Sequence, residues 1–577
     1  MTRLYIFLLL ALLASPAAAR QDPILPDLAP REVEITGDLS IVFPTLRRQP
    51  IVGFNPPPRV PDISSDRRPF TEAYKQPSAD LPPSPMSAPE PPSVSAMARR
   101  TPISGVIDLS AGRFLDRALK ADITLAATEK TSLLISADYF GTEGRDVTIG
   151  GVGTDTGRDR MSVTSSIDQR MGGVVVGLAG SAFKNSYSLF GAVPAAGVPS
   201  RLSPDRTFSG YDGTLSLNSR PGSSVTVRSS VTVGTTTVDT DVFDPAIRID
   251  PVTNREESFL KFASSLSIPL RDGSVNFWTN GATSGLDSNS FPGSTIRSGI
   301  VAASWRYLYS VKLELEAGAT VLGFDSKAQS LTGASRSLSY FAPILRATYS
   351  FTPAVKLTAE TAPTIDTALS RDLFSSAPFM MDEPLLLPSL TTIDATVGLS
   401  VQSEFVSGSI KTGYKNQPFR RFPVQTLTAT LGYVRGYSTF DYSDVDVLYV
   451  AGDVTAVPAS GIQVGVDFVA QNASVTSSEL DVPHTPGLGI GGFASASFLD
   501  GDAEFRIRFE HESKRTIDAL AATSIPSVTR FHIMLSYFFH PDYALMTGVR
   551  DLGGGPVYWD GYEYESDSFY LGLRYRW

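Results

Sequence analysis

Four histidines and no cysteine set narrow limits on the chemistry open to this 577-residue chain. Without cysteine there is no disulfide, no thiolate nucleophile, no cysteine metal site and no lipid-modified N-terminal cysteine. A hydrolytic or acyl-transfer centre would need a nucleophile, a base and an orienting group within reach of one another. His484 lies in a long loop between prolines and His540 in a turn, while His511 and His532 fall on the apolar and polar sides of their strands. No Gly-x-Ser-x-Gly elbow, His-Glu-x-x-His pair or metal-ligand spacing stands near them. These residues predict no enzyme, no metal and no cofactor. The charges that remain recur at every second position: Lys312, Glu314 and Glu316 in one run, and Glu504, Arg506, Arg508 and Glu510 in another. On a strand such side chains share one face, where they pair across strands to fill an interior or line a hydrated path. Both signs are present, so no ion selectivity follows.

The elements that carry these charges alternate with period 2. Leu119, Ala121, Ile123 and Leu125 oppose Lys120, Asp122 and Thr124. Val311, Leu313, Leu315, Ala317 and Ala319 oppose Lys312, Glu314 and Glu316. Ile393, Ala395, Val397, Leu399 and Val401 oppose Asp394, Thr396, Gly398 and Ser400. Phe505, Ile507 and Phe509 separate the charges of the 504–510 run. A helix would spread these sets around its circumference, whereas a strand puts them on opposite faces. The connections alternate in length. Arg220-Pro221-Gly222, Arg271-Asp272-Gly273, Asp500-Gly501-Asp502 and His540-Pro541-Asp542 are short turns. The segments 141–160, 183–208, 235–256, 281–295, 363–390, 472–489, 513–527 and 551–567 are long. Short turns at one end and long loops at the other suit a membrane barrel. The pattern predicts an all-β chain whose residues 101–577 form a transmembrane antiparallel β-barrel of about 22 strands, with 20 to 24 admissible because barrels of this kind have even strand numbers. Only the stretch 414–460 resists a consistent in-out order.

Two segments precede the barrel. Arg3, the apolar run Leu4–Ala14 and the small residues Ala17 to Ala19 read as an export signal over 1–19, cleaved after Ala17-Ala18-Ala19. Residues 20–100 hold 17 of the 41 prolines, including Pro56-Pro57-Pro58 and Pro89-Glu90-Pro91-Pro92. Such density removes backbone donors and favours extended polyproline geometry, so an unpacked periplasmic arm is expected there. A formal net charge of −10 makes nucleic acid an unsuitable partner.

The last nine residues place Phe569, Leu571, Leu573, Tyr575 and the terminal Trp577 on one face. This resembles the C-terminal sorting signal of bacterial outer-membrane β-barrels. The resemblance implies outer-membrane lipid as the barrel's solvent, and recognition by the barrel-assembly machinery. The barrel's size is similar to that of TonB-dependent receptors, and Glu32, Val33, Glu34, Ile35 and Thr36 look like their N-terminal TonB box. Those receptors carry a folded plug of well over a hundred residues between box and barrel. Here a proline-rich arm fills that space, so a full plug is not expected. The arm-plus-barrel layout is similar to outer-membrane proteins that work with a periplasmic partner, here one bound to 20–100.

One loop is too apolar for a solvated connection. Phe374, Phe379, Met380, Met381, Leu385, Leu386 and Leu387 crowd residues 373–390. They fold onto the barrel wall or membrane rim, or form a constriction in the lumen or a partner surface. Three functional expectations follow. The first is a non-enzymatic channel, transporter or secretion pore for a solute or polymer. The second is a closed docking barrel that recruits a periplasmic protein through its arm. The third is uptake coupled to TonB through 32–37.

Overall fold

The structure, a computed structural model, describes residues 104–577 except 129, 150–151, 195–203, 220–222, 242–251, 290–292, 329–334, 368, 381–385, 426–432, 519, 555–556, 560–561 and 564–566. The signal segment, the arm, the TonB-box-like run, the question of a plug, and Met381 and Leu385 lie outside the described residues.

Twenty-two wall strands run antiparallel to their sequence neighbours, from Ser104–Gly112 to Ser568–Arg576, and the last pairs with the first. The closing register runs from Val106 opposite Arg576 to Gly112 opposite Tyr570. Gly105 and Trp577 then exchange backbone hydrogen bonds of 3.2 and 3.1 Å. Closure matters because an open edge in hydrocarbon would leave each unpaired backbone group at a cost of several kcal/mol. A Cβ on Gly105 would stand 2.5 Å from the Trp577 indole, so the ring and the first strand meet only because this residue has no side chain.

Alternation along each strand separates two environments. On Ser294–Ser310, Ile300, Ala302 and Ser304 are buried, while Val301 and Trp305 between them are 63% and 53% exposed. Phe341, Leu345, Leu571 and Leu573 belong to the same exposed apolar face. That face is the outside of the closed wall, suited to lipid. At the short-turn end it carries aromatic residues: Trp305, Tyr307 and Tyr309 in succession, Tyr349 against Phe351, and a stack of Tyr543, Tyr575 and Trp577 with ring centroids 4.9 and 5.2 Å apart. Aromatic rings collect where hydrocarbon meets headgroups. The short turns include Gly172-Gly173, Arg271-Asp272, Val311-Lys312 and Pro541-Asp542; the opposite end carries the connections 143–157, 362–392, 476–487, 513–527 and 553–567.

The stretch 414–460 resists a simple alternation because of a bulge. Val406–Gln425 pairs with Ser438–Ala459, and the register shifts between Gln417 and Arg420. Before the shift Lys415 and Gln417 oppose Val447 and Val445, whose side chains are buried. After it Arg420 and Phe422 oppose Ser443 and Asp441. Past the shift both parities carry buried side chains, Phe422 on one and Arg421 on the other. Pro418 sits at the shift, where its missing N–H does least harm to the ladder.

Above Thr361 the wall becomes two layers deep. Val355–Thr361 pairs with Ser335–Thr352 only as far as Leu345, so among the described residues Arg336–Ile344 has no wall neighbour on that side. The chain instead turns inward. Thr364–Asp366 pairs with Ser389–Thr391, Leu390 pairs with Phe419, and this flap lies against the inner face of the neighbouring wall. Leu387, Leu390 and Phe419 pack there on Ile300, Leu322, Phe324 and Ala342.

Candidate functional site

The connection 362–392 folds inward because of its composition. Leu373, Phe374, Phe379, Met380, Leu386 and Leu387 are all buried. Full burial of such side chains stabilises by roughly 1.5–3 kcal/mol each, enough to draw a long loop out of water. Their partners come from distant parts of the wall and from other long connections: Leu189, Phe190, Phe208, Val238, Tyr437 and Tyr562 surround Phe374, Phe379 and Met380. Phe379 stacks on Tyr562 with centroids 3.7 Å apart, and the Tyr562 hydroxyl donates to the Gly436 carbonyl at 2.6 Å.

A short helix, Ser370–Ser376, occupies the middle of this segment. Its first backbone N–H groups have no partner inside the helix. Glu257 Oε2 accepts one of them, from Ser370, at 2.6 Å. Lys261 Nζ reaches Asp372 at 3.2 Å, and Arg371 pairs with Asp212 and donates to Ser181 Oγ at 3.1 Å. Past the helix, Arg206 is fully buried and donates through Nη1 to the carbonyls of Pro378 and Met380 at 2.8 and 2.6 Å, and through Nε to Thr240 at 2.9 Å. Tyr187 donates to the same Pro378 carbonyl at 2.7 Å. On the other side Arg421 donates to the Leu387 carbonyl at 2.6 Å and to Asp366 at 3.0 Å. One segment ties to strands as far apart as Val174–Ser188 and Val406–Gln425, which is possible only from inside the barrel.

The charge runs fall into two groups. Glu314 and Glu316 belong to a ladder with three residues that the sequence did not single out. Arg306, Glu316, Arg346 and Glu360 stand opposite one another on four successive strands. Arg306 meets Glu314 at 3.2 Å and Glu316 at 3.7 Å, and Arg346 meets Glu316 at 3.8 Å and Glu360 at 2.7 Å. Lys312 departs from its expected place: it lies exposed in the turn between two strands, because the wall strand begins only at Leu313. In the second group Glu504 meets Arg506 at 3.0 Å, Arg508 meets Glu510 at 2.8 Å, and Arg530 meets Glu510 at 3.0 Å.

Between these groups and the long-loop end lies a cavity of about 340 Å³. Ser376 at the helix end, Arg420 and Arg421 past the bulge, His484 and Thr485 of the 476–487 connection, and Glu512, Arg515 and Arg530 line it. Arg515 meets Glu512 at 2.5 Å and Arg530 approaches it at 3.9 Å. Arg420 donates to Thr485 Oγ1 at 3.4 Å, and among the described residues no carboxylate comes within ion-pair distance of it. Loss of solvation, with the Arg515 charge beside it, pushes the His484 imidazole down to about 2, so it stays neutral. Nothing local in the sequence marks this cluster, since its arginines sit on three separate elements.

Phe569, Leu571 and Leu573 lie exposed on the outer face, with Tyr575 and Trp577 in the aromatic stack. His511 bonds Thr529 at 2.8 Å, His532 lies 3.9 Å from Asp551, and His540 lies 3.6 Å from Asp542. Among the described residues no cluster of three metal-ligating side chains occurs.

No family model matches this chain, and no curated protein does. Solved structures do match in shape. The FrpB iron transporter from Neisseria meningitidis (F5-1 variant) superposes with a TM-score of 0.64 at 9% identity, covering 82% of each chain. The copper transporter OprC gives 0.61 at 12% identity over 82% of this chain and 80% of that one. The ferric yersiniabactin uptake receptor FyuA from Yersinia pestis gives 0.58 at 11% identity, with the same two coverages. These neighbours are outer-membrane barrels of the TonB-dependent receptor type, named as transporters or receptors, and at such identities the likeness is one of fold.

Proposed function

We propose that this chain is a non-enzymatic outer-membrane transporter that passes a solute through its lumen, with the inward segment 362–392 as the constriction. The observation that carries the reading is the polar tethering of that segment. Asp212, Glu257, Lys261, Arg206 and Arg421 hold it from the wall. A loop collapsed merely to hide apolar side chains would not require so many matched charges. Planar-bilayer conductance tests it. Replacing 370–388 by a short Gly-Ser turn leaves the wall strands intact and is expected to raise conductance or admit larger solutes. A folded, heat-modifiable variant with unchanged conductance and permeability would remove the segment from the transport path.

The dense cluster around Phe379 favours a related reading in which the lumen is closed at rest. Opening then depends on a periplasmic protein, engaged by Glu32–Thr36 as a TonB box or by the arm 20–100. On that reading the isolated barrel does not conduct, and conductance appears once the segment is excised.

A further inference from the structure

The cavity at Arg420 has a charge balance unlike the rest of the interior. The cations in and beside it are Arg420, Arg421, Arg508, Arg515 and Arg530. The carboxylates acting on them are Asp366 and Asp372 on Arg421, Glu510 on Arg508 and Arg530, and Glu512 on Arg515 and Arg530. Five cations thus face four carboxylates, and Arg420 has no carboxylate of its own among the described residues. His484, also in the lining, is held neutral by burial and by the Arg515 charge beside it. Arg420 is half-buried, and the bulge turns it toward the cavity while Arg421 beside it is turned toward Leu387 and Asp366. An unanswered guanidinium beside an open volume is a strong donor site for an oxyanion, because its planar fork of N–H groups matches carboxylate and phosphate oxygens.

We propose that the cavity lined by Arg420, Arg515, Arg530 and Thr485 is a binding site for a solute bearing a carboxylate or phosphate group. The site opens between the long connections on the lumen side, above the flap. Ser376 of the inward segment forms part of its lining, so a bound solute would lie against that segment. Its role as a substrate site rests on the transport reading; the binding itself does not.

The test uses the full chain in detergent micelles, with inorganic phosphate and citrate as probes and chloride at matched ionic strength as the control. Calorimetric titration is expected to show saturable binding of at least one probe. Arg420→Gln should weaken it at least tenfold and Arg420→Lys less. Arg306→Gln, in the ladder across the lumen, should leave it unchanged. Preference for phosphate or for citrate identifies which oxyanion the site takes, and either supports the proposal. Absence of saturable binding to the folded wild-type barrel overturns it. So does an equal loss in Arg306→Gln and Arg420→Gln, which would mark general electrostatic attraction. Should Arg420→Gln not fold, the wild-type titration and Arg420→Lys decide. Bilayer conductance on the same preparations and on the 370–388 excision separates the two readings: conduction without binding overturns the anion site and spares the channel, whereas binding without conduction in either the intact or the excised barrel upholds the site and removes the channel.

Discussion

The ladder of Arg306, Glu316, Arg346 and Glu360 and the cavity around Arg420 use the same side chains to opposite ends. In the ladder each charge meets an opposite charge on a neighbouring strand, at 2.7 to 3.8 Å. In the cavity the guanidiniums outnumber the carboxylates. A barrel wall of fixed register makes the first arrangement easy, because one residue per strand at one level is enough. The second needs residues from a bulge, three long connections and two strands. A balanced row holds the wall; an unbalanced cluster holds something that the chain itself does not supply. Arg206 is a third case, a fully buried cation answered by carbonyl oxygens of the inward segment.

Arg206→Leu should produce the largest change. Removing the buried guanidinium frees the Pro378 and Met380 carbonyls, and loss of such charge-assisted bonds costs about 3 kcal/mol. The barrel should still insert, while the melting temperature falls and segment 362–392 becomes accessible to protease; unchanged protease resistance would show that apolar packing alone holds it. Glu316→Gln comes next. It leaves Arg306 and Arg346 facing one another, and since both are about 40% exposed the loss should be only about 1–2 kcal/mol. Thermal unfolding of the heat-modifiable band measures it, and a change as small as for Arg420→Gln would erase the contrast between ladder and cavity.

His484→Gln bears on pH. An imidazole held near 2 when folded and near 6.5 when unfolded binds a proton mainly in the unfolded chain, so stability is lost as pH falls below about 6.5. The slope contributed by one such group is at most about 1.4 kcal/mol per pH unit. Melting temperatures of wild type between pH 7 and 5 should fall more steeply than those of His484→Gln; parallel curves would place His484 in water. Arg420→Gln should have the smallest effect, and of opposite sign. Removing a cation that has no carboxylate should leave stability unchanged or raise it by up to about 1 kcal/mol, in the absence of added oxyanion. A clear loss of stability would mean that Arg420 belongs with the ladder.

The wall was legible in the sequence because its period is local. The alternation at 313–319, 393–401 and 503–510 marks strands without knowledge of any partner, and the even strand number follows from closure. What alternation could not carry was the shift of register at Pro418, since a bulge is defined by the neighbouring strand. The apolar excess at 373–390 announced that this loop must be covered. Which surface covers it depends on Phe208, Val238 and Tyr562, each more than a hundred residues away in sequence. The arginine cavity was invisible for the same reason. Lys312 was misplaced by extending a true alternation one residue pair beyond the strand's start, into a turn where alternation has no meaning.

The unmatched edge of Arg336–Ile344 gives the wall an uneven stiffness. Below Leu345 the perimeter is a continuous ring of backbone hydrogen bonds, and its girth is fixed by strand number and stagger. Above that level the ring is interrupted, and the flap overlaps the inside of the wall as the end of a rolled sheet overlaps itself. In this one sector the outer mouth is therefore held by side chains, Phe419 and Leu390 against Phe324 and Ala342, where the rest of the ring is held by backbone hydrogen bonds.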